Sequence, residues 1–135
     1  LGLGLYMIYS IETFIVEYNM PKDIVVPSNI RSTARKAIDY NLSLPISRRA
    51  AYKDEGSKRV AGTGMRTARR LVSGRIDEQQ VRLMAAWFAR HGASDKEKEA
   101  RRDKTSKASV AWALWGGSAA ARWSAAKVRE LDKKK

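Results

Sequence analysis

Apolar side chains recur at helical spacing in several stretches of the chain, separated by glycine, proline or charged residues. The clearest start is at Asp77, which forms a capping box with Gln80, three residues later. An apolar stripe follows over residues 81–88, and Gly92 supplies the left-handed residue that commonly ends a helix. The pattern therefore predicts a helix that starts after Asp77 and stops at Gly92.

The N-terminal half contains a second helical pattern. Apolar or small residues recur at helical spacing over residues 30–44, where Ser28 is placed to cap the helix and Pro45 to end it. Residues 46–52 then predict a short additional helix. The polar, glycine-containing run over residues 53–58 predicts a loop.

Two further stretches are punctuated by glycine or by charge. The Gly62-Thr63-Gly64 turn opens a short basic helix, and Gly74 stands where a left-handed residue would end it. Residues 93–107 mix both signs of charge without an apolar anchor. They therefore predict a solvated linker or a fraying helix.

The segment VAWALWGGS, residues 110–118, holds two tryptophans and a double glycine. A helix is expected from Thr105 or Ser106 through Trp115, with a break at the glycine pair and a last helix from Ser118 to about residue 131. The indole rings are either exposed platforms for stacking on bases or part of the core. The core is favoured, because the chain has few other large apolar side chains.

These elements predict an all-α fold, a small bundle of four or five short helices with a poorly determined N-terminal segment and a basic C-terminal tail. Along the chain we distinguish a possible upstream segment, an N-terminal helical region, a helical module and a tail. Their ranges are 1–19, 20–58, 59–131 and 132–135.

The first nineteen residues contain none of the 27 Lys and Arg residues of the chain. This break at Met20 suggests upstream sequence read through from an earlier start, or the end of a truncated longer chain. The segment carries Glu12 and Glu17 and has neither a basic start nor a small-residue cleavage site, so neither a signal peptide nor a membrane anchor is expected. Its pattern permits a strand or a helix.

Composition narrows the chemistry. The chain has no cysteine and one histidine, which excludes disulfide scaffolds, zinc fingers and cysteine nucleophiles. The net charge of +13 predicts a polyanionic partner. Nucleic acid is expected first, with DNA preferred over RNA, and an acidic protein second. Neither a membrane partner nor a cofactor is expected.

The charge is densest over residues 48–75, with nine Lys and Arg residues against two acidic ones. Arg66, Arg69 and Arg70 stand at i, i+3 and i+4, so at least two of them share one helix face. Thr63 belongs either to an anion-binding nest or, as favoured, to a simple N-cap. The candidate nucleic-acid-binding residues are Arg48, Arg49, Lys58, Arg59, Thr63, Arg66, Arg69, Arg70 and Arg75.

His91 ends a helix beside Arg90, with Asp95 and Glu97 shortly after it. A general base with a neighbouring carboxylate could be drawn here. A helix C-terminus favours histidine for its charge alone, however, and the sequence has no second histidine to complete an acid–base pair. We therefore expect no enzymatic activity, no catalytic residue and no metal site.

Four motifs follow one another over residues 59–128: the Gly62-Thr63-Gly64 turn, a basic helix that ends in Gly74, the Phe-Ala-Arg-His sequence at 88–91 and the Ala-Trp-x-x-Trp-Gly-Gly sequence at 111–117. In this order they resemble an uncharacterised small helical module of tailed-bacteriophage proteins, which stands alone or fused to head-maturation proteases and other phage proteins. The resemblance implies viral origin, a helical module and residence in the host cytoplasm during infection or in the virion, but no activity. Ser118 replaces the usual Asp, which preserves an N-cap but removes a carboxylate. The matching residues are Gly62, Thr63, Gly64, Gly74, Met84, Phe88, Arg90, His91, Trp112, Trp115, Gly116, Gly117 and Trp123.

The leading hypothesis is a non-enzymatic phage module that binds nucleic acid through phosphate contacts, with little dependence on sequence. The alternative is a virion-assembly or protein-interaction module that docks on an acidic phage or host protein. A small nuclease centred on His91 is a third, less favoured hypothesis.

Overall fold

A computed structural model describes residues 21–134 of the chain, and the expectations for residues 1–19 lie outside this range. The described part is all-α, as predicted, with two small antiparallel ribbons added. The helices are α1 (Ser28–Ser43), α2 (Thr63–Ser73), α3 (Glu78–Ala93), α4 (Asp95–Ala100), α5 (Lys107–Leu114) and α6 (Gly117–Lys133). The strands are β1 (Ile24–Val25), β2 (Tyr52–Glu55), β3 (Lys58–Ala61) and β4 (Arg75–Ile76), and a 3₁₀ turn spans Ile46–Arg48.

One hydrophobic core holds the helices together. Helix α1 packs against α2, α5 and α6, while α3 packs against α6. The core takes side chains from both sides of residue 58, so the N-terminal helical region and the helical module share it. Its largest fully buried apolar side chains are Ile30, Met65, Leu71, Ile76, Val81, Met84 and Leu114.

Two local signals are confirmed, Gly74 at the end of α2 and Asp77 at the start of α3. Gly74 ends α2 in the left-handed conformation, with φ at +94°. The Asp77 carboxylate accepts a hydrogen bond from the backbone N–H of Gln80 at 2.7 Å, so Asp77 is the N-cap of α3. The Gln80 side chain makes a different contact from the one predicted, because its Oε1 accepts from Arg70 Nη1 at 2.8 Å.

The predicted short helix over residues 46–52 and the loop over 53–58 are wrong. In their place stand the 3₁₀ turn and a hairpin in which β2 pairs with β3 from Tyr52↔Ala61 to Glu55↔Lys58. Gly56, with φ at +64°, permits the tight turn. The helix fails to form because the Asn41 side chain binds both backbone groups of Ala50, with Nδ2 donating to its carbonyl at 3.0 Å and Oδ1 accepting from its N–H at 2.9 Å.

Several predicted helix boundaries are shifted by one residue. Ser28 and Thr63 are the first residues of their helices rather than the N-caps, which are Pro27 and Gly62. The predicted stop at Gly92 is also wrong, because α3 continues to Ala93.

Ser118 is likewise not the N-cap of the last helix. Helix α6 begins one residue earlier, after Gly116. The Ser118 hydroxyl instead accepts from Trp112 Nε1 at 3.1 Å. The local pattern predicted that the Ser118 side chain caps α6, but the side chain bonds to a tryptophan of α5 instead.

The tryptophans belong to an aromatic cluster, as the core interpretation predicted. Trp115 is 5% exposed and stacks on Trp87, with ring centroids 4.6 Å apart and an interplanar angle of 9°. The half-buried Trp112 meets Phe88 edge-on at 4.8 Å, and the Arg101 guanidinium carbon lies 4.0 Å from the Trp112 ring centroid. These contacts tie α3 to α5.

The charged stretch after α3 contains the short helix α4, which Ser94 caps by accepting from the Glu97 N–H at 3.2 Å. Ser106 caps α5 in the same way, accepting from the Ser109 N–H at 3.1 Å.

Beyond α5, helix α6 runs past the predicted end near residue 131 to Lys133. Arg82 of α3 pairs with Asp132 at this end of α6 at 2.8 Å and with Glu78 of its own helix at 2.9 Å. The hydrogen bonds to Glu78 and Asp132 raise the pKa of Arg82.

The turn between α4 and α5 contains a carboxylate whose ionised form is stabilised locally. The Asp103 side chain accepts from the Thr105 hydroxyl at 2.6 Å and from the Thr105 backbone N–H at 2.9 Å. Both hydrogen bonds lower the pKa of Asp103, the hydroxyl contributing the larger share. The stabilisation is therefore present above the unfolded-state pKa and is lost as the pH falls through the lowered folded-state pKa.

We expect Thr105→Val to raise the pKa of Asp103 towards its ordinary value, because valine removes the hydroxyl donor and keeps the backbone donor. A carboxyl-carbon NMR titration of the variant and the parent protein measures this pKa. Thr105→Ser retains a hydroxyl and is expected to leave the pKa near that of the parent. A valine variant with an unchanged pKa would show that the hydroxyl does not stabilise the carboxylate.

Among residues 21–134, no helix is both long enough and apolar enough to cross a membrane.

Candidate nucleic-acid interface

A cleft of about 420 Å³ lies between α2, β4 and the first turn of α3. One wall of the cleft is a single face of α2, since residues three, four and seven positions apart point the same way on a helix. Strand β4 continues directly from α2 through Gly74 and forms the base. The charged and hydrogen-bonding side chains that line it include Lys22, Thr63, Arg66, Arg70, Arg75, Asp77 and Gln80.

Arg66 and Arg70 lie one helical turn apart on this wall. Arg66 donates to Thr63 Oγ1 at 3.2 Å and to the Ala61 carbonyl at 3.4 Å, so the hydroxyl of Thr63 orients a cation. Arg70 donates from Nη1 to the buried Gln80 side chain at 2.8 Å. Each guanidinium has five N–H donors, and these contacts leave several of them available to an anion.

Lys22 reaches the same cleft from a distant part of the sequence. Strand β1 pairs with β4 through Ile24↔Ile76 and Val25↔Arg75, which brings residue 22 beside the start of α3. Sequence analysis missed Lys22, because a single lysine between two prolines carries no local signal. Only the pairing of two-residue strands places it next to the arginines.

The balance of charge in the cleft is strongly positive. Four cationic side chains line it, and Asp77 is the one acidic side chain among the described lining residues. The carboxylate of Asp77 already caps α3. Asp77 keeps its charge in that role, so an incoming anion would meet a cleft with four positive charges and one negative charge, a net of +3.

The remaining predicted site residues lie elsewhere. Arg69 is exposed on α2 but does not line the cleft, although Arg66 and Arg70 do. Arg49 donates to the carbonyls of Leu44 at 3.0 Å and Leu42 at 3.1 Å, so it binds the C-terminal end of α1. The others are on the 3₁₀ turn or the hairpin, and they are Arg48, Lys58 and Arg59.

His91 joins α3 to α4. Its Nδ1 lies 2.9 and 3.0 Å from the two carboxylate oxygens of Glu97, and its ring centroid lies 4.3 Å from that of Trp87. Its backbone carbonyl accepts from Arg101 at 3.3 Å. Within residues 21–134, no three acidic or histidine side chains converge as metal ligands would.

Comparison with protein-family models, with curated proteins and with solved structures finds no match to this chain.

Proposed function

We propose that this protein is a non-enzymatic, phage-encoded helical module that binds nucleic acid through its phosphates, in the cleft between α2 and α3. The observation that carries the proposal is the convergence of Lys22, Arg66, Arg70 and Arg75 on one cleft whose acidic side chain is occupied in capping. DNA is the preferred partner and duplex DNA the first probe.

Arginine suits this role because its planar guanidinium can donate two parallel hydrogen bonds to one phosphate. Arg66 and Arg70 are separated along α2 by about 6 Å, given a rise of 1.5 Å per residue. They can therefore contact neighbouring phosphates of one strand, with Arg75 at the base of the cleft and Lys22 beside the start of α3. Such contacts are to the backbone and not to base edges, so binding depends little on sequence.

Counterion release gives the proposal a quantitative test. Each phosphate contact to duplex DNA contributes about 0.9 to the slope of log affinity against log salt concentration. We expect Arg66→Gln to reduce the magnitude of this slope by about one and to weaken binding at low salt. Fluorescence anisotropy of a labelled duplex of mixed sequence, titrated at several salt concentrations, measures both quantities.

Arg69→Gln is the matched control, because it removes the same charge from the same helix outside the cleft. It is expected to change the slope by much less than Arg66→Gln. Equal losses in the two variants would mean that net charge alone drives binding and that the cleft is not the site. Absence of duplex binding by the parent protein at low salt would overturn the proposed function.

A further inference from the structure

A second depression, a groove of about 660 Å³, lies between α1 on one side and α5 with the start of α6 on the other. Thr33, Ala37 and Tyr40 line it from one face of α1. It shares no lining residue with the cationic cleft between α2 and α3. The two sites can therefore be occupied and altered separately.

The floor of the groove is apolar and small in side-chain volume. Ala37, Val110 and Ala113 contribute to it, and Trp112 adds part of its ring. Two of the nearby hydroxyls are engaged within the chain, since Thr33 donates to the Asn29 carbonyl at 2.9 Å and Ser118 accepts from Trp112. The floor thus favours an apolar side chain over a group that needs several hydrogen bonds.

The banks of the groove are cationic. Lys36 stands on the α1 side, while Arg101 and Lys104 stand on the opposite side, in the turn between α4 and α5. Among the described residues, no aspartate or glutamate lines the groove. An occupant with carboxylates on both flanks of an apolar side chain would complement this arrangement.

The Trp112 ring at the groove is not a free stacking platform. Arg101 covers Trp112 at 4.0 Å, and Phe88 contacts the same indole from the core side. A nucleobase would also bring ring nitrogens and carbonyls onto a floor of aliphatic side chains. An apolar amino-acid side chain loses no hydrogen bonds there, so the groove suits a peptide better than a base.

We propose that this groove docks an acidic amphipathic segment of a partner protein, whose apolar side chains contact the Ala37–Val110–Ala113 floor while its carboxylates pair with Lys36, Lys104 and Arg101. The α1 bank from Thr33 to Tyr40 is about 10 Å long, which matches two turns of a docked helix. The partner is defined by this chemistry. The proposal does not depend on nucleic-acid binding in the other cleft.

The test uses the whole chain and a pool of fluorescein-labelled peptides of about 14 residues, enough for nearly four helical turns. Leu, Ile, Phe or Trp is varied at positions i, i+3, i+4 and i+7, and Glu fills the remainder. We expect the pool to yield peptides that bind, and backbone amide NMR signals to shift along α1 and α5. Lys36→Glu is expected to weaken the selected peptides about tenfold, because it replaces an attraction by a repulsion.

Two matched controls distinguish docking from general attraction to a basic protein. Arg35→Glu makes the same charge change at the neighbouring position of α1, outside the groove, and is expected to weaken binding less than threefold. Tyr40→Ala is expected to weaken it at least fivefold, whereas Leu42→Ala is not, although the two side chains are 39% and 41% exposed. Circular dichroism and thermal melts verify that all four variants remain folded.

Several outcomes would overturn the proposal. One is a pool that yields no binder, and another is an equal loss in the Arg35 and Lys36 variants. A third is displacement of the peptide by an oligothymidylate from the parent protein but not from Lys36→Glu, which would assign the groove to nucleic acid. Loss of duplex binding in Arg66→Gln with peptide binding intact would leave the groove proposal supported.

Discussion

Gly116→Ala is expected to lower the free energy of unfolding by about 2–5 kcal/mol, one of the two largest losses that we predict for a single substitution. Gly116 precedes α6 with φ at +108°, where an L side chain costs about 1–2 kcal/mol. A Cβ there would lie 2.5 Å from the Ala120 Cβ and 2.9 Å from the Ile30 Cγ2. Overpacking of this kind costs a further 1–3 kcal/mol or so, because α1 and α6 must separate to admit the methyl group.

Urea denaturation of the variant and the parent protein measures the loss, and Gly56→Ala is the control. Gly56 has φ at +64°, but no heavy atom lies within 4 Å of a Cβ built on it. Gly56→Ala should therefore show the conformational cost alone, about 1–2 kcal/mol. Equal losses in the two variants would contradict the close packing of α1, α2 and α6 around Gly116.

Asn41→Ala is expected to destabilise the protein by about 2–5 kcal/mol. Asn41 is fully buried near the end of α1, and its amide satisfies both the N–H and the carbonyl of Ala50. Alanine would leave two buried backbone groups without partners, at about 1–3 kcal/mol each. The Asn41 amide also donates to Met65 Sδ at 3.3 Å, so the same substitution loosens α1 from α2.

Chemical denaturation gives the size of this loss, and hydrogen exchange gives its location. The Ala50 amide should exchange faster in Asn41→Ala than in the parent protein. Asn29→Ala provides the control, since Asn29 is exposed on the first turn of the same helix, and we expect it to change stability by less than about 0.5 kcal/mol. A loss below about 1 kcal/mol in Asn41→Ala would mean that the bridge to Ala50 contributes little.

Asn41 also bears on function, because it fixes the chain segment that leads into the cleft. Ala51 follows with φ at +57°, and its carbonyl accepts from the Gly62 N–H at 2.6 Å, which closes the base of the hairpin. Helix α2, with Arg66 and Arg70, begins directly after Gly62. The position of the cationic wall therefore depends on a buried amide nine residues ahead of Ala50.

Some of the residues that the charge pattern predicted as a site line one cleft, and the others lie elsewhere. The density of charge along the chain singled out Arg66, Arg70 and Arg75, and the glycine-rich turn singled out Thr63, and all four line the cleft. The same density also included Arg69 and Arg49, since a linear count of charges contains no side-chain direction. Arg49 instead donates to two backbone carbonyls at the end of α1. The sequence cannot show that these carbonyls take a side-chain donor.

The sequence by itself determined the helical class, the cap at Asp77, the left-handed end at Gly74 and the break at Gly116, because each depends on groups within four residues of one another. It also determined the excess of positive charge. Only the tertiary structure decided that residues 46–52 do not form a helix, since a side chain from α1 binds the backbone of Ala50, and that residues 52–61 form a hairpin. It likewise decided that Lys22 joins the arginines and that a groove with cationic banks lies along the junction of α1 and α5, because contacts between distant segments depend on how the helices pack.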